Sequence, residues 1–342
     1  MTTISSPHAH QPASVTRVML RVVYALVPAI IAHTWLFGWG MVVNIAIASA
    51  AALGAEAVML ALRGRAINVT LADGSALVTA VLLGFALPPL APWWLTALGA
   101  AFAIVFAKQI YGGLGYNPFN PAMVGYVLLL ISFPREMTTW LSPSMLGGET
   151  LSLAETLRYT FTGALPAGLS LDALSGATPL DFMKTELSLN KTVSETLATP
   201  LFGAVAGQGF EVVNGLVLLG GLWLVWNRTI TWHAPVGLLG ALFVSAGLFW
   251  SLDPDTHAGP LFHLLSGGAM LGAFFIATDP TTCATSNRGR LIFGVGAGIL
   301  IYIIRTWGGY PDGIAFSVLL MNLAAPTIDY YTRPRVYGHT KG

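Results

Sequence analysis

Residues 41–62 read MVVNIAIASAAALGAEAVMLAL, twenty-two positions with one ionisable side chain, Glu56. A bilayer hydrocarbon core of about 30 Å needs about 20 apolar residues in helical form, so this stretch is long enough to cross one. It is apolar on every side, unlike a surface helix of a soluble protein, which keeps a polar face. The whole chain shares this character: 55% of its 342 residues are hydrophobic and only 9% charged, with a mean hydropathy of +0.70. Soluble proteins keep about a quarter of their residues charged. The natural solvent of this chain is therefore membrane lipid.

Nine more stretches of the same kind surround the first, at 18–37, 75–90, 92–111, 119–133, 210–227, 234–251, 261–277, 291–306 and 312–329. The expected fold is an all-α polytopic membrane protein with ten transmembrane helices. The stretches 75–90 and 119–133 are short and border Gly/Pro-rich sequence, a pattern tolerated where irregular backbone faces protein or a cavity. Between the fifth and sixth spans the composition turns polar and Ser/Thr-rich. The expected domains are a cytoplasmic tail (1–16), a first membrane half (17–133), a large loop (134–209), a second membrane half (210–329) and a second tail (330–342).

Basic residues orient the chain, because short cytoplasmic loops are enriched in Lys and Arg. With the N-terminus inside, the inner segments hold Arg17, Arg21, Arg63, Arg65, Lys108, Arg228, Arg288, Arg290, Arg333, Arg335 and Lys341, and the short outer loops hold only Arg305. Both termini are thus expected in the cytoplasm, and loop 134–209 outside. Trp35, Trp39, Trp93, Trp94, Trp250 and Trp307 fall at outer ends, and Trp226, Trp232, Tyr330 and Tyr331 at inner ones. Each half has an odd number of spans, so equivalent halves would form an inverted repeat of five helices. Tyr116-Asn117-Pro118 and Tyr310-Pro311-Asp312 both precede a last span, and little else aligns. The net charge of +1 and the lack of a basic run point away from nucleic acid. One cysteine, Cys283, excludes an intramolecular disulfide and a cysteine-only metal cage.

The large loop contains Asp172-Ala173-Leu174-Ser175-Gly176-Ala177-Thr178-Pro179. Pro179 biases Thr178 to extended backbone, and the small residues before it leave its hydroxyl accessible. Alone, this reads as a polar turn between two short amphipathic helices. The string resembles, however, the Asp-x-x-Ser-Gly-Ala-Thr acceptor motif of flavin transferases, which join FMN through its phosphate to the threonine hydroxyl. The chain also resembles the D subunit of the Rnf (Rsx) electron-transport complex and, more distantly, the B subunit of the sodium-pumping NADH:quinone oxidoreductase. The likeness runs through Gly112-Gly113-Leu114-Gly115-Tyr116-Asn117-Pro118-Phe119-Asn120-Pro121-Ala122, Ala277-Thr278-Asp279-Pro280-Thr281 and Gly308-Gly309-Tyr310-Pro311-Asp312-Gly313.

The resemblance implies covalent FMN on Thr178, with Asp172, Ser175, Gly176 and Ala177 as the motif a periplasmic flavin transferase reads. It also implies non-covalent riboflavin near Asn117 and Asn120, residues whose plainer role is to cap the following helix. By the same resemblance the chain is an inner-membrane protein, not catalytic alone, that relays electrons beside the A, B, C, E and G subunits of the Rnf complex while Na⁺ or H⁺ moves. From the residues alone, Glu56 is either part of an ion path or paired with a cation on another helix. Asp73 and Asp279 read as groups that order helix ends, and His33 and His263 as satisfied core histidines. Lys184 is either a charge beside flavin or a solvated loop lysine. A channel or secondary transporter without redox chemistry is the competing reading; it leaves the threonine motif unexplained.

Overall fold

The computed structural model describes residues 15–146 and 150–333. Most of the tails, with Arg335 and Lys341, lies outside the described residues. Every expected span is helical, at Val15–Phe37, Gly40–Leu62, Ser75–Ala86, Trp93–Gln109, Pro121–Ser132, Phe210–Trp226, His233–Leu252, Asn287–Trp307 and Ile314–Thr332. The eighth differs. It is broken into Pro260–Leu265 and Ala269–Ile276 around Ser266-Gly267-Gly268, where Gly267 takes a φ of +62°. The two stretches expected to be short are 12 residues each, about 18 Å of helix.

Contacts between turns show the chain alternating between two ends. At one end loop 134–209 meets the turns that follow the third, seventh and ninth spans. Leu90 packs with Leu151 and Leu174, Val193 N–H donates to Asp255 O at 2.8 Å, and Lys184 Nζ donates to Gly308 O at 2.5 Å and Tyr310 O at 3.0 Å. At the other end Thr16 bonds Ala72 O at 2.8 Å, Arg65 bonds Gly112 O at 2.8 Å, and Arg290 bonds Thr231 at 3.2 Å. The first is the loop end of the bundle and the second its turn end. All ten aromatics expected at the interfaces are exposed, as lipid-facing belts require.

The two halves repeat one packing scheme. The second span packs on the third and fourth, as the seventh does on the eighth and ninth. The first and sixth spans pair across the halves, and so do the fifth and tenth. The tightest crossing, seventh on ninth, needs glycine. A Cβ on Gly294 would overlap Ala234 O and approach Leu238 N to 2.9 Å, and one on Gly298 would overlap Leu238 O. Without a hydrophobic drive between helices in lipid, close backbone approach of this kind is what holds them.

Loop 134–209 is ordered by capped short helices at Leu153–Thr162, Pro179–Ser188 and Val193–Leu197, two of them with capping boxes. A two-residue antiparallel ladder pairs Trp140 with Gly176 and Leu141 with Ser175, tying the start of the loop to its middle. The loop is thus a folded cap, more built than a polar turn, with small apolar clusters that it shares with Leu90, Ala258 and Phe262 of the membrane halves.

Two positions expected at loop ends are internal. Arg305 lies in the last turn of the ninth span, 4% exposed, bonding His263 O at 2.5 Å and Ser266 O at 3.1 Å and pairing with Asp312 at 3.1 Å. Lys108 is 2% exposed in the fourth span. Setting both aside leaves ten basic residues in the segments expected inside and none in the short loops expected outside.

Candidate functional sites at two related cavities

Thr178 has the extended backbone that Pro179 favours (φ −67°, ψ 155°) and is the N-cap of Pro179–Ser188, its hydroxyl accepting Asp181 N–H at 3.3 Å. It is half-buried and lines a cavity of about 170 Å³ at the loop end, with His33, Tyr126, Asn214, Asp181 and Asp312. Ala177 and Asp172 are exposed, while Ser175 and Gly176 belong to the short ladder with Trp140 and Leu141. Gly176 is a steric choice, because a Cβ there would overlap the Ser142 hydroxyl. Lys184, half-buried, is neither a solvated lysine nor a wall of the cavity. It ties the Thr178 helix to the turn bearing Tyr310, and burial lowers its pKa against the opposing pull of Asp181.

At the turn end a second cavity of about 200 Å³ brings the sequence motifs together. Asn117 Nδ2 donates to Thr281 Oγ1 at 3.0 Å, and Asn120 Nδ2 to Asp279 Oδ2 at 3.4 Å. Asn120 is also the N-cap of Pro121–Ser132, accepting Met123 N–H at 3.2 Å, while its own N–H donates to Asn322 at 3.1 Å. Capping and cavity lining coexist there. Asn117 Oδ1 is buried without a partner, an open acceptor in the wall. Asp279 orders its turn by accepting from Thr281, and burial raises its pKa against those hydrogen bonds. Asp73 does the same for the third span, accepting from Ser75 N–H at 2.7 Å.

Glu56 is fully buried, and its Oε1 accepts from Lys108 Nζ at 2.5 Å and Gln109 Nε2 at 2.7 Å. A π turn over Ala103–Gln109 lets two successive side chains reach one carboxylate. Lys108 also bonds Ser75 at 2.6 Å and lines the turn-end cavity. Of the two roles open to Glu56 in the sequence, the pairing is thus present. His33 and His263 are buried core residues, but the Nδ1 of each lacks a partner. Among the described residues no three His, Cys, Asp or Glu are placed to hold a metal. The sequence had not singled out Lys108, Arg305 or Asn322 for these sites. A cation inside an apolar run was the available signal for the first two.

The cavities occupy matching places in the two halves. Val18, Met19 and Val22 line one, and Val213, Asn214 and Val217, each 195 positions later, line the other. Ser75 and Val78 correspond to Gly268 and Leu271, Pro118 to Pro311, Pro121 and Ala122 to Ile314 and Ala315, and Phe85 to Thr278, each pair 193 positions apart; all but Pro118 line a cavity. The inverted repeat that was faint in sequence is plain here.

Ten helical spans, a folded loop and two walled cavities at opposite ends define a multi-pass membrane protein. Residues 2–338 match the model of the NQR2, RnfD, RnfE family, and the chain belongs to that family. It is 52% identical over 346 aligned positions to the D subunits of the ion-translocating oxidoreductase complexes of Salmonella arizonae and Escherichia coli O127:H6, covering 99% of this chain and 98% of each relative.

Proposed function

We propose that the chain is the D subunit of an ion-translocating oxidoreductase complex of the Rnf type, in the bacterial inner membrane with both termini cytoplasmic. It carries FMN on Thr178 at the loop end and riboflavin beside Asn117 and Asn120 at the turn end. Its partners are the other members of the complex (the A, B, C, E and G subunits), membrane lipid and, during maturation, a periplasmic flavin transferase. Glu56, if it serves an ion path, does so from within its pair with Lys108. The observation that carries this reading is the location of the transferase-like threonine in the wall of a cavity that has an internal counterpart.

The residues suit the groups. A phosphoester on Thr178 would stand at the N-terminus of a ten-residue helix, whose dipole favours an anion; Pro179 offers no N–H there, and the Asp181 and Phe182 N–H groups already bond Thr178. The open Asn117 Oδ1 would accept a hydrogen bond from a flavin ring N–H. Flavin supplies one- and two-electron chemistry when bound. The protein's own part is to fix the rings at opposite ends of one helix bundle, with Lys184 clamping the loop helix and Asn120 and Asp279 clamping the turn-end wall.

The test is in-gel flavin fluorescence of denatured protein from cells with and without the transferase, for the native chain and Thr178→Ala. A band only in the native, transferase-positive sample is expected. Its absence there, or its persistence in Thr178→Ala, overturns the assignment. Asn117→Leu with Asn120→Leu is expected to lower extractable riboflavin, and unchanged riboflavin in folded complex would place that site elsewhere.

A further inference from the structure

The two cavities share a frame but differ in the charge of their walls. Each half ends its fourth span with a buried cation, Lys108 or Arg305, held in an ion pair. In the turn-end cavity the cation is the wall, and its partner Glu56 stands behind it. In the loop-end cavity the order is reversed: Asp312 is the wall, and Arg305 stands behind. The remaining charges accentuate the difference. The loop-end wall adds Asp181 and has no Lys or Arg, whereas the turn-end wall sets Lys108 and Arg290 against Asp279 alone.

From this reversal we infer that Lys108 and Asp312 tune the two sites apart, so that a ring gaining negative charge is favoured at the turn end and opposed at the loop end. This rests on the flavin reading above. The reasoning is Coulombic. In a wall screened by little water the nearer member of a pair dominates the field on a ligand, and an electron added to either ring meets Lys108 first in one site and Asp312 first in the other. Asp312 is fixed with its Oδ2 accepting Gly268 N–H at 2.9 Å and its Oδ1 paired with Arg305 Nε at 3.2 Å. Lys108 is fixed by Glu56 and Ser75. Neither charge swings away from its cavity without abandoning buried partners. Both are positioning residues in this role, acting on the ligand's charge and not on the reacting atoms.

The experiment is a dithionite titration of the purified, flavin-loaded complex, followed by absorbance, on the native protein, Asp312→Asn, and Glu56→Gln with Lys108→Met. Asp312→Asn is expected to favour the reduced covalent flavin at least tenfold more than the native site does, about +30 mV for a two-electron couple. The paired substitution is expected to move riboflavin's potential downward, and it leaves no unpaired buried charge behind. A covalent flavin that moves less than tenfold, or downward, in Asp312→Asn overturns the inference. So does retained riboflavin whose potential is unmoved or raised. If the paired variant releases riboflavin, Asp312→Asn decides alone, since its ring is covalently held. Native protein without a flavin on Thr178 instead overturns the reading underneath.

Discussion

Replacing Glu56 by Gln removes the charge that neutralises Lys108 within the second span, where neither side chain reaches solvent. Lys108 then has only neutral acceptors, Ser75 and the new amide oxygen at position 56, and no anion. Breaking a buried pair by removing one member costs about 3–5 kcal/mol, because the survivor is left charged and unsolvated. That is roughly 140- to 4,000-fold in the unfolding equilibrium, at about tenfold per 1.4 kcal/mol. Lys108→Met strands Glu56 similarly, with Gln109 as its remaining donor. The double variant removes both charges and is expected to return to within about 1 kcal/mol of the native protein, since replacing a whole buried pair by groups of similar volume is often neutral. Reversible SDS unfolding in bicelles, followed by tryptophan fluorescence, yields the four stabilities of the cycle. If the double variant shows the sum of the two single losses, the pair has no coupling and the reasoning fails.

Two further outcomes follow from the packing. Gly294→Leu with Gly298→Leu forces the seventh and ninth spans apart and is expected to cost at least about 1–3 kcal/mol, the usual range for overpacking; the same unfolding assay checks it, and an unchanged midpoint would mean the crossing is looser than the structure has it. Lys184→Met removes the donor to Gly308 and Tyr310, and is expected to speed proteolysis within 179–197 several-fold in intact spheroplasts while the spans stay protected, which mass spectrometry of the fragments reads.

The spans were legible because crossing a bilayer demands length and apolarity, two properties written residue by residue. Their ends fell within a few positions of the structure for the same reason. The break in the eighth span was missed although Ser266-Gly267-Gly268 punctuates 261–277, because no charge or proline marks it and small residues also serve close helix packing. What breaks it is distant in sequence: Arg305 takes the carbonyls of His263 and Ser266, and Asp312 takes the N–H of Gly268. Backbone groups freed inside a membrane must be satisfied by such partners, and sequence order hides them. Arg305 itself was misplaced at a loop because the positive-inside count sees charge and not direction.

The repeat was faint for a different reason. Inverted halves keep the path of the backbone, and the small and apolar residues that line it tolerate many sequences: Val18 for Val213, Val78 for Leu271, Ala122 for Ala315. The polar residues that would have drawn attention are the ones that differ. Asn117 stands where the other half has Tyr310, Thr278 where it has Phe85, and Asp279 where it has Ala86, each 193 positions apart. On the proposed flavin reading, a symmetric scaffold whose two sites treat the same kind of ring differently has to diverge at those walls. The sites are therefore where the internal likeness is weakest in sequence, although the cavities are where it is clearest in space.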